Sequence, residues 1–181
     1  DALLSWAFQI IGDRNFISNS EKRSEICFIL AKAIGPNGMV GGQQADMDFI
    51  EDKSIDLDKI EWIQNHKTGA LMSCCAHVAS IVLDASNYQK SKLINYANHI
   101  GLAFQIADDL LDLDGNEHSM GKPIGQDNKN ETPNFVTILG KAKAAKRAIE
   151  ESNKAINLIQ KFKQESENLV SLAKYTVNRN K

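Results

Sequence analysis

Proline is scarce in this sequence, and all of its prolines fall in segments that are predicted to be loops. There are only three, Pro36, Pro123 and Pro133, so no proline occurs over the long stretch 37–122. No alternation of apolar and polar residues with period two is sustained, which argues against half-buried strands. The sequence therefore predicts an all-α fold.

Cysteine is equally rare, which argues against a protein stabilised by disulfides. The chain has three cysteines, and two of them, Cys74 and Cys75, are adjacent. An odd number at this spacing is neither a disulfide framework nor a set of zinc ligands. Reduced thiols are typical of the cytosol, so we expect a cytoplasmic protein.

Long apolar runs and a strong charge of one sign are also missing. No run reaches the roughly 18 apolar residues that span a bilayer, so stable membrane insertion is not expected. The net charge of −2 offers no basic face for nucleic acid, and the basic C-terminal region is interpreted as the solvated side of terminal helices. The chain opens inside the apolar pattern DALLSWAFQII without a signal peptide or a helix cap. We therefore expect residues 1–181 to be part of one domain of a longer protein.

Helical periodicity and capping residues predict the order of the helices. Ser20 and Asp56 are predicted N-caps, and Gly35 is a predicted helix end. The polar segment 114–133 is too long for a simple connector and is expected to be a functional or mobile loop. The predicted helices cover about 1–11, 20–35, 56–84 and 89–113, with two or three more between 141 and 178.

The stretch QIADDLLDLDG places three acidic side chains, Asp108, Asp109 and Asp112, within two turns near a helix end. Like charges at this spacing repel, and the negative end of the helix dipole adds a second unfavourable term. A compensating Mg²⁺ ion held by oxygen ligands would offset both, and Gln105 lies one turn earlier on the same face. The alternative is an acidic turn that is simply solvated.

Three further motifs combine glycine with polar side chains. In HKTGAL, Lys67 and Thr68 precede Gly69, which costs a helix about 1 kcal/mol and allows close approach of a ligand or another backbone. The alternative for Gly69 is that another helix crosses there and Lys67 lies in solvent. For Gly101, a packing role is the preferred interpretation. The motif GGQQAD carries Gln43 and Asp46. The motif GKPIGQD carries Lys122 in a loop that could fold over an anion, and the alternative is that this lysine has no specific role.

Taken in order, GGQQADMD, HKTGAL, FQIADDLLDLDG and GKPIGQD resemble the C-terminal two-thirds of a short-chain trans-prenyl diphosphate synthase. The nearest pattern is that of bacterial farnesyl diphosphate synthases (geranyltranstransferases). The resemblance implies an all-α isoprenoid synthase bundle around a central cavity, with its N-terminal helices absent from this chain. It also implies a homodimer, isoprenyl diphosphate substrates and Mg²⁺.

The resemblance also implies a role for each motif residue. Asp108, Asp109 and Asp112 match the second aspartate-rich motif, which holds metal, and Phe104 matches a position on the isopentenyl side. The catalytic residues would be Lys67, Thr68 and Gln105. Residues that contact the diphosphate of the allylic substrate would be Lys67, Thr68, Gln105, Lys122, Gln43 and Asp46.

The implied reaction is Mg²⁺-assisted ionisation of dimethylallyl or geranyl diphosphate, attack by isopentenyl diphosphate and loss of a proton. Farnesyl diphosphate (C15) is the expected product, with geranylgeranyl diphosphate (C20) as the alternative. The family's first aspartate-rich motif and isopentenyl diphosphate segment are not among these residues, so we expect this chain alone to be inactive. A class I terpene cyclase and a non-catalytic subunit with the same fold remain alternative interpretations.

Overall fold

The computed structural model describes residues 2–49, 56–114 and 133–179, and all regular structure in these ranges is helical. The predicted all-α class is therefore confirmed. The helices are α1 (Ala2–Gly12), α2 (Ser20–Ile34), α3 (Met39–Asp48), α4 (Leu57–Gln64), a π-helix (Asn65–Gly69), α5 (Ala70–Val82), α6 (Asn87–Asp114), α7 (Phe135–Leu139), α8 (Lys141–Ile159), a 3-10 helix (Gln160–Ser166) and α9 (Glu167–Asn178).

The long helix α6 lies at the centre of the packing, between α5 on one side and α8 and α9 on the other. Two apolar clusters share it, and each joins it to the C-terminal helices. The first contains Ile60, Leu102, Ile106, Phe135, Ala144 and Ala148, and the second contains Tyr96, Ile100, Ala155, Ile159 and Ala173. Because α6 is covered on several sides, its burial extends beyond a single apolar stripe.

Most predicted helix ends agree with the structure, and two differ for local reasons. Asp56 caps α4 by accepting the N–H of Lys59, and Gly35 follows the last residue of α2, as predicted. The N-cap of α2 is Asn19, not Ser20, because the Asn19 side chain accepts the N–H groups of Glu21 and Lys22. Helix α6 begins earlier than predicted, after a reciprocal pair of side-chain and backbone hydrogen bonds between Ser86 and Gln89.

The predicted continuous helix over 56–84 is interrupted. Helix α4 ends at Gln64, five residues adopt π-helical geometry, and α5 resumes at Ala70. A π-helical turn widens the helix by one residue and commonly marks a functional site. The interruption contains Lys67 and Thr68, two of the predicted site residues.

Residues 115–132 of the predicted loop 114–133, among them Lys122, lie outside the described residues. The expectation that this loop is mobile therefore also lies outside them. In the described ranges, no helix is both long enough and apolar enough to cross a membrane.

The C-terminal helices contain more than the solvated basic face expected from the sequence. Glu151 on α8 is almost fully buried, at 1% exposure. Its carboxylate contacts His99 Nδ1 at 2.6 Å, Lys154 Nζ at 2.7 Å and Arg147 Nε at 3.0 Å. Arg147 also reaches Glu61 at 2.9 Å, so this cluster, which we call the Glu151 network, joins α4, α6 and α8.

Candidate functional site

The helix formed by the GGQQAD motif packs directly against the π-helix. A Cβ atom added to Gly42 would lie 2.2 Å from the backbone N of Lys67, so only glycine allows this approach. One turn later, Asp46 contacts Lys67, with 2.6 Å between Oδ2 and Nζ. Lys67 is therefore paired and two-thirds buried, unlike the solvent-exposed lysine of the alternative interpretation. Thr68 is half-buried in the same turn, and Gln43 is exposed on α3.

The π-helix and α6 cross at two glycines. A Cβ atom on Gly101 would lie 3.3 Å from Gly69 Cα, closer than ordinary side-chain contacts, so Gly101 serves helix packing. A Cβ atom added to Gly69 would make only ordinary contacts, at 3.6 Å or more, with Gln64 and Asn65. One turn further along α6, Gln105 Nε2 donates a hydrogen bond to Gln64 Oε1 at 2.8 Å. The crossing therefore brings the Lys67 turn and the Gln105 turn side by side.

The aspartate-rich end of α6 already carries a positive partner. The Arg179 guanidinium donates to Asp108 Oδ1, and its central carbon lies 4.1 Å from the centroid of the Phe104 ring. Phe104 and Asp108 are four residues apart and share one face of α6, so a single guanidinium contacts both. This arrangement combines an ion pair with a cation–π contact.

The three aspartates of the motif have different surroundings. Asp108 is 47% exposed, and Asp112 is exposed. Asp109 Oδ2 accepts the backbone N–H of Phe135 at 2.9 Å, which ties α6 to the start of α7. In the part of the chain that the structure describes, no three His, Cys, Asp or Glu side chains are grouped as a preformed metal site.

The residues nevertheless fit a hard cation at this helix end. Arg179 acts as a stand-in, because it shows that Asp108 accepts a positively charged partner in this position. Asp108 and the exposed Asp112 lie one turn apart and offer the oxygen donors that Mg²⁺ prefers. Asp109 fits less directly, because one of its oxygens is used by the Phe135 N–H.

Two residues at this site were not singled out from the sequence. Arg179 lies 71 positions from Asp108, and Gln64 lies 41 positions from Gln105. An arginine near a chain end and a glutamine in a helix carry no local signal of such contacts. The position of Gln64 three residues before Lys67 was the only hint.

Comparison with known proteins identifies the family. The family model for polyprenyl synthetases matches residues 1–175. The farnesyl diphosphate synthase of Geobacillus stearothermophilus is 41% identical over 149 residues, which cover 81% of this chain and 50% of that protein. The chain belongs to the polyprenyl synthetase family.

Solved structures share the fold. The crystal structure of a FPP/GFPP synthase from Zymomonas mobilis superposes with a TM-score of 0.83 at 34% identity, over 97% of this chain and 58% of that one. A geranyltransferase from Helicobacter pylori, crystallised with magnesium and isoprenyl diphosphate, shares the fold with a TM-score of 0.79 at 24% identity, over 98% of this chain and 57% of that one. The chain thus spans between half and three-fifths of the length of these proteins.

Proposed function

We propose that this chain forms the allylic diphosphate side of a prenyltransferase that condenses dimethylallyl or geranyl diphosphate with isopentenyl diphosphate. The observation that carries the proposal is the arrangement around the Gly69–Gly101 crossing. It packs the π-helix that contains Lys67 against α6 and bonds Gln64, three residues before Lys67, to Gln105, one turn before Asp108. Family membership and the farnesyl diphosphate synthase relatives support the same reaction and favour it over a terpene cyclase.

The chemical requirement is removal of a diphosphate group from an allylic carbon. Diphosphate departs only when its growing negative charge is stabilised, and Lys67, Gln105 and the N–H or hydroxyl groups near Thr68 can do this. The Lys67–Asp46 ion pair holds the ammonium in place before substrate binds. Lys122 and Gln43 are proposed to contact the same diphosphate, and Phe104 to lie on the isopentenyl side.

Asp108, Asp109 and Asp112 are proposed to hold Mg²⁺. When bound, the metal supplies Lewis-acid stabilisation of the diphosphate oxygens. The Helicobacter pylori geranyltransferase was crystallised with magnesium and isoprenyl diphosphate, which supports this choice of metal. Arg179 must leave Asp108, or share it, when the metal binds.

Farnesyl diphosphate is the proposed product, because several relatives carry that name, and geranylgeranyl diphosphate remains the alternative. We further propose that the protein works in the cytoplasm, in line with its free cysteines, and as a homodimer. We expect the 181-residue chain alone not to turn over, because the family's isopentenyl diphosphate segment is not among its residues.

The test is product analysis of the whole protein with isopentenyl and dimethylallyl diphosphates and Mg²⁺. The wild-type protein should form farnesyl diphosphate, and Asp108→Asn should lower kcat about 100-fold or more, because the loss of a charged ligand weakens stabilisation of the leaving group. Asp58→Asn is the matched control, since Asp58 is an acidic residue in the first turn of α4.

The two results that would contradict the proposal are distinct. No prenyl product from a folded wild-type protein would favour the non-catalytic subunit. Equal turnover by wild type and Asp108→Asn would show that the aspartate-rich turn does not hold the catalytic metal.

A further inference from the structure

The last residue of α4, Gln64, makes a contact that reaches across the bundle. Its Oε1 atom accepts a hydrogen bond of 2.8 Å from Nε2 of Gln105, which lies 41 residues later on α6. Both side chains are half-buried, so water competes less for this bond than at the surface. An amide that donates one N–H in this way has the directions of its carbonyl oxygen and second N–H fixed as well.

Gln64 faces α6 because of the π-helix. Gln64 and Gly69 are five positions apart, and the i to i+5 bonding of a π-helix brings such positions above one another. On α6, Gly101 and Gln105 are four residues apart and share a face of an ordinary α-helix. The Gly69–Gly101 approach and the Gln64–Gln105 bond therefore lie on the same two facing surfaces, one turn apart.

Two residues proposed to act on the diphosphate, Lys67 and Thr68, lie between these anchor points within the π-helix. Asp108 lies one turn beyond Gln105 on α6. A glutamine side chain has three rotatable bonds, and without a partner it would have to be ordered each time substrate bound. The Gln64 carbonyl fixes the Gln105 amide beforehand, which favours the geometry that the reaction needs.

We propose that Gln64 is a positioning residue: its side-chain oxygen orients the Gln105 amide toward the allylic diphosphate and locks the π-helix to α6. This inference rests on the proposed function, since it assigns no separate reaction to the site. Gln64 itself is not proposed to touch substrate.

The test compares Gln64→Met and Gln64→Glu in the whole protein, with kcat and KM measured for both substrates. Methionine keeps the length and helix propensity but removes the acceptor, so kcat should fall about 10-fold while KM for isopentenyl diphosphate stays unchanged. Glutamate restores an acceptor for Gln105, so kcat should return to within about 3-fold of wild type. Its added charge should raise KM for the allylic diphosphate.

Two further variants complete the experiment. Gln44→Met is the matched control, because Gln44 makes a hydrogen bond of the same length to Asp48 within α3, at the surface, and its kcat should equal that of wild type. Gln105→Met should lower kcat at least as much as Gln64→Met. The double variant Gln64→Met/Gln105→Met should be no worse than Gln105→Met alone, because the two residues act as one unit.

The outcomes separate this inference from the proposed function. Full kcat in Gln64→Met, or a failure of Gln64→Glu to restore kcat, would overturn the positioning role. The proposed function would still stand in that case if the wild-type enzyme were active and its activity depended on Asp108. Strictly additive losses in the double variant would also overturn it. Absence of any prenyl product from folded wild type would overturn both.

Discussion

At the scale of single residues, Arg179 and Asp108 form an ion pair at the aspartate-rich end of α6. The guanidinium is mostly buried, with 14% of the side chain exposed, and it lies against both Asp108 and the Phe104 ring. A cation in this position offsets the repulsion that three aspartates create at the end of α6. Any metal that binds Asp108 must therefore compete with a positive charge that the chain itself supplies.

This competition predicts the effect of Arg179→Met. Removal of the guanidinium should tighten Mg²⁺ binding in the absence of diphosphate by about 5-fold, which corresponds to about 1 kcal/mol for a partly exposed ion pair. Isothermal titration of the whole protein with MgCl₂ measures this directly.

Lys174→Met provides the control, because it removes one positive charge from the exposed side of α9, the helix that Arg179 follows. Its Mg²⁺ affinity should match that of wild type. If both variants gained affinity equally, the effect would come from net charge and the Arg179–Asp108 pair would have no specific role.

On the scale of helices, α3 and the π-helix approach each other closely at Gly42. Gly42 is buried at this contact, and the backbone atoms of His66 and Lys67 occupy the space that a side chain would need. The motif GGQQAD indicated neither which residues contact Gly42 nor why a glycine is needed there. The contact explains why a residue that weakens a helix is placed in the middle of α3.

Gly42→Ala tests this contact. The added methyl group would overlap backbone atoms that cannot rotate away, so the free energy of unfolding should fall by about 2 kcal/mol despite the better helix propensity of alanine. Because Lys67 would shift with its backbone, KM for the allylic diphosphate should rise as well. Urea denaturation and steady-state kinetics of the whole protein measure the two effects.

Gly12→Ala is the corresponding control, since nothing lies within 4 Å of a Cβ atom added at Gly12. Its stability should equal or exceed that of wild type. Unchanged stability and unchanged KM in Gly42→Ala would contradict a tight contact between α3 and the π-helix.

The Glu151 network joins helices α4, α6 and α8 through one buried carboxylate. Burial, the largest single influence, raises the pKa of Glu151, but hydrogen bonds from Lys154 and His99 and the charges of Lys154 and Arg147 together hold the pKa below its ordinary value of 4.5. A carboxyl group with a depressed pKa stabilises the folded state above its unfolded pKa, and this contribution is lost as the pH falls through the folded pKa.

Glu151→Gln should therefore lower the free energy of unfolding by about 2–3 kcal/mol at pH 7, because it leaves three cationic or hydrogen-bonding partners without their carboxylate. The difference from wild type should shrink once the pH falls below about 4.5 and through the folded pKa of Glu151. Denaturant unfolding of both proteins from pH 7 downward measures this difference.

The neighbouring Glu150 offers a matched control on the same helix. It lies 3.8 Å from Lys146 at the surface, and 48% of its side chain is exposed. Glu150→Gln should change stability by less than about 0.5 kcal/mol at every pH. A difference between wild type and Glu151→Gln that did not depend on pH would contradict the ionised state of Glu151.

On the scale of the whole molecule, the N-terminal helices present an apolar surface. Helix α1 has no buried residue among those described, and its Leu3 and Trp6 are exposed, as is Phe28 on the adjacent α2. Exposed apolar side chains of this kind are typical of a surface that packs against another protein segment. The homodimer of the proposed function would bury them.

Phe28→Lys should therefore weaken self-association of the whole protein by at least about 10-fold, because it places a charge in an apolar contact. Sedimentation over a range of protein concentrations measures the dissociation constant. Tyr175→Lys, at an exposed aromatic residue on α9, is the control and should leave it unchanged. A monomeric wild-type protein, or equal weakening by both variants, would contradict this interface.

Local patterns in the sequence determined the helical class, most helix ends and the motifs that identify the family. Helix formation and capping depend on residues within about four positions of each other, so Asp56 as a cap and Gly35 as an end were predictable. The same locality explains the error at Ser20, where two neighbouring polar residues could both serve as the cap.

Only the tertiary structure decided how the motifs meet. The π-helical interruption, the Arg179–Asp108 pair, the Gln64–Gln105 bond and the burial of Glu151 all depend on contacts between residues distant in the chain. Sequence periodicity reports which face of a helix is apolar, but it does not report which helix covers that face. The chemistry of the motif residues was therefore contained in the sequence, whereas their partners were fixed by packing against α6.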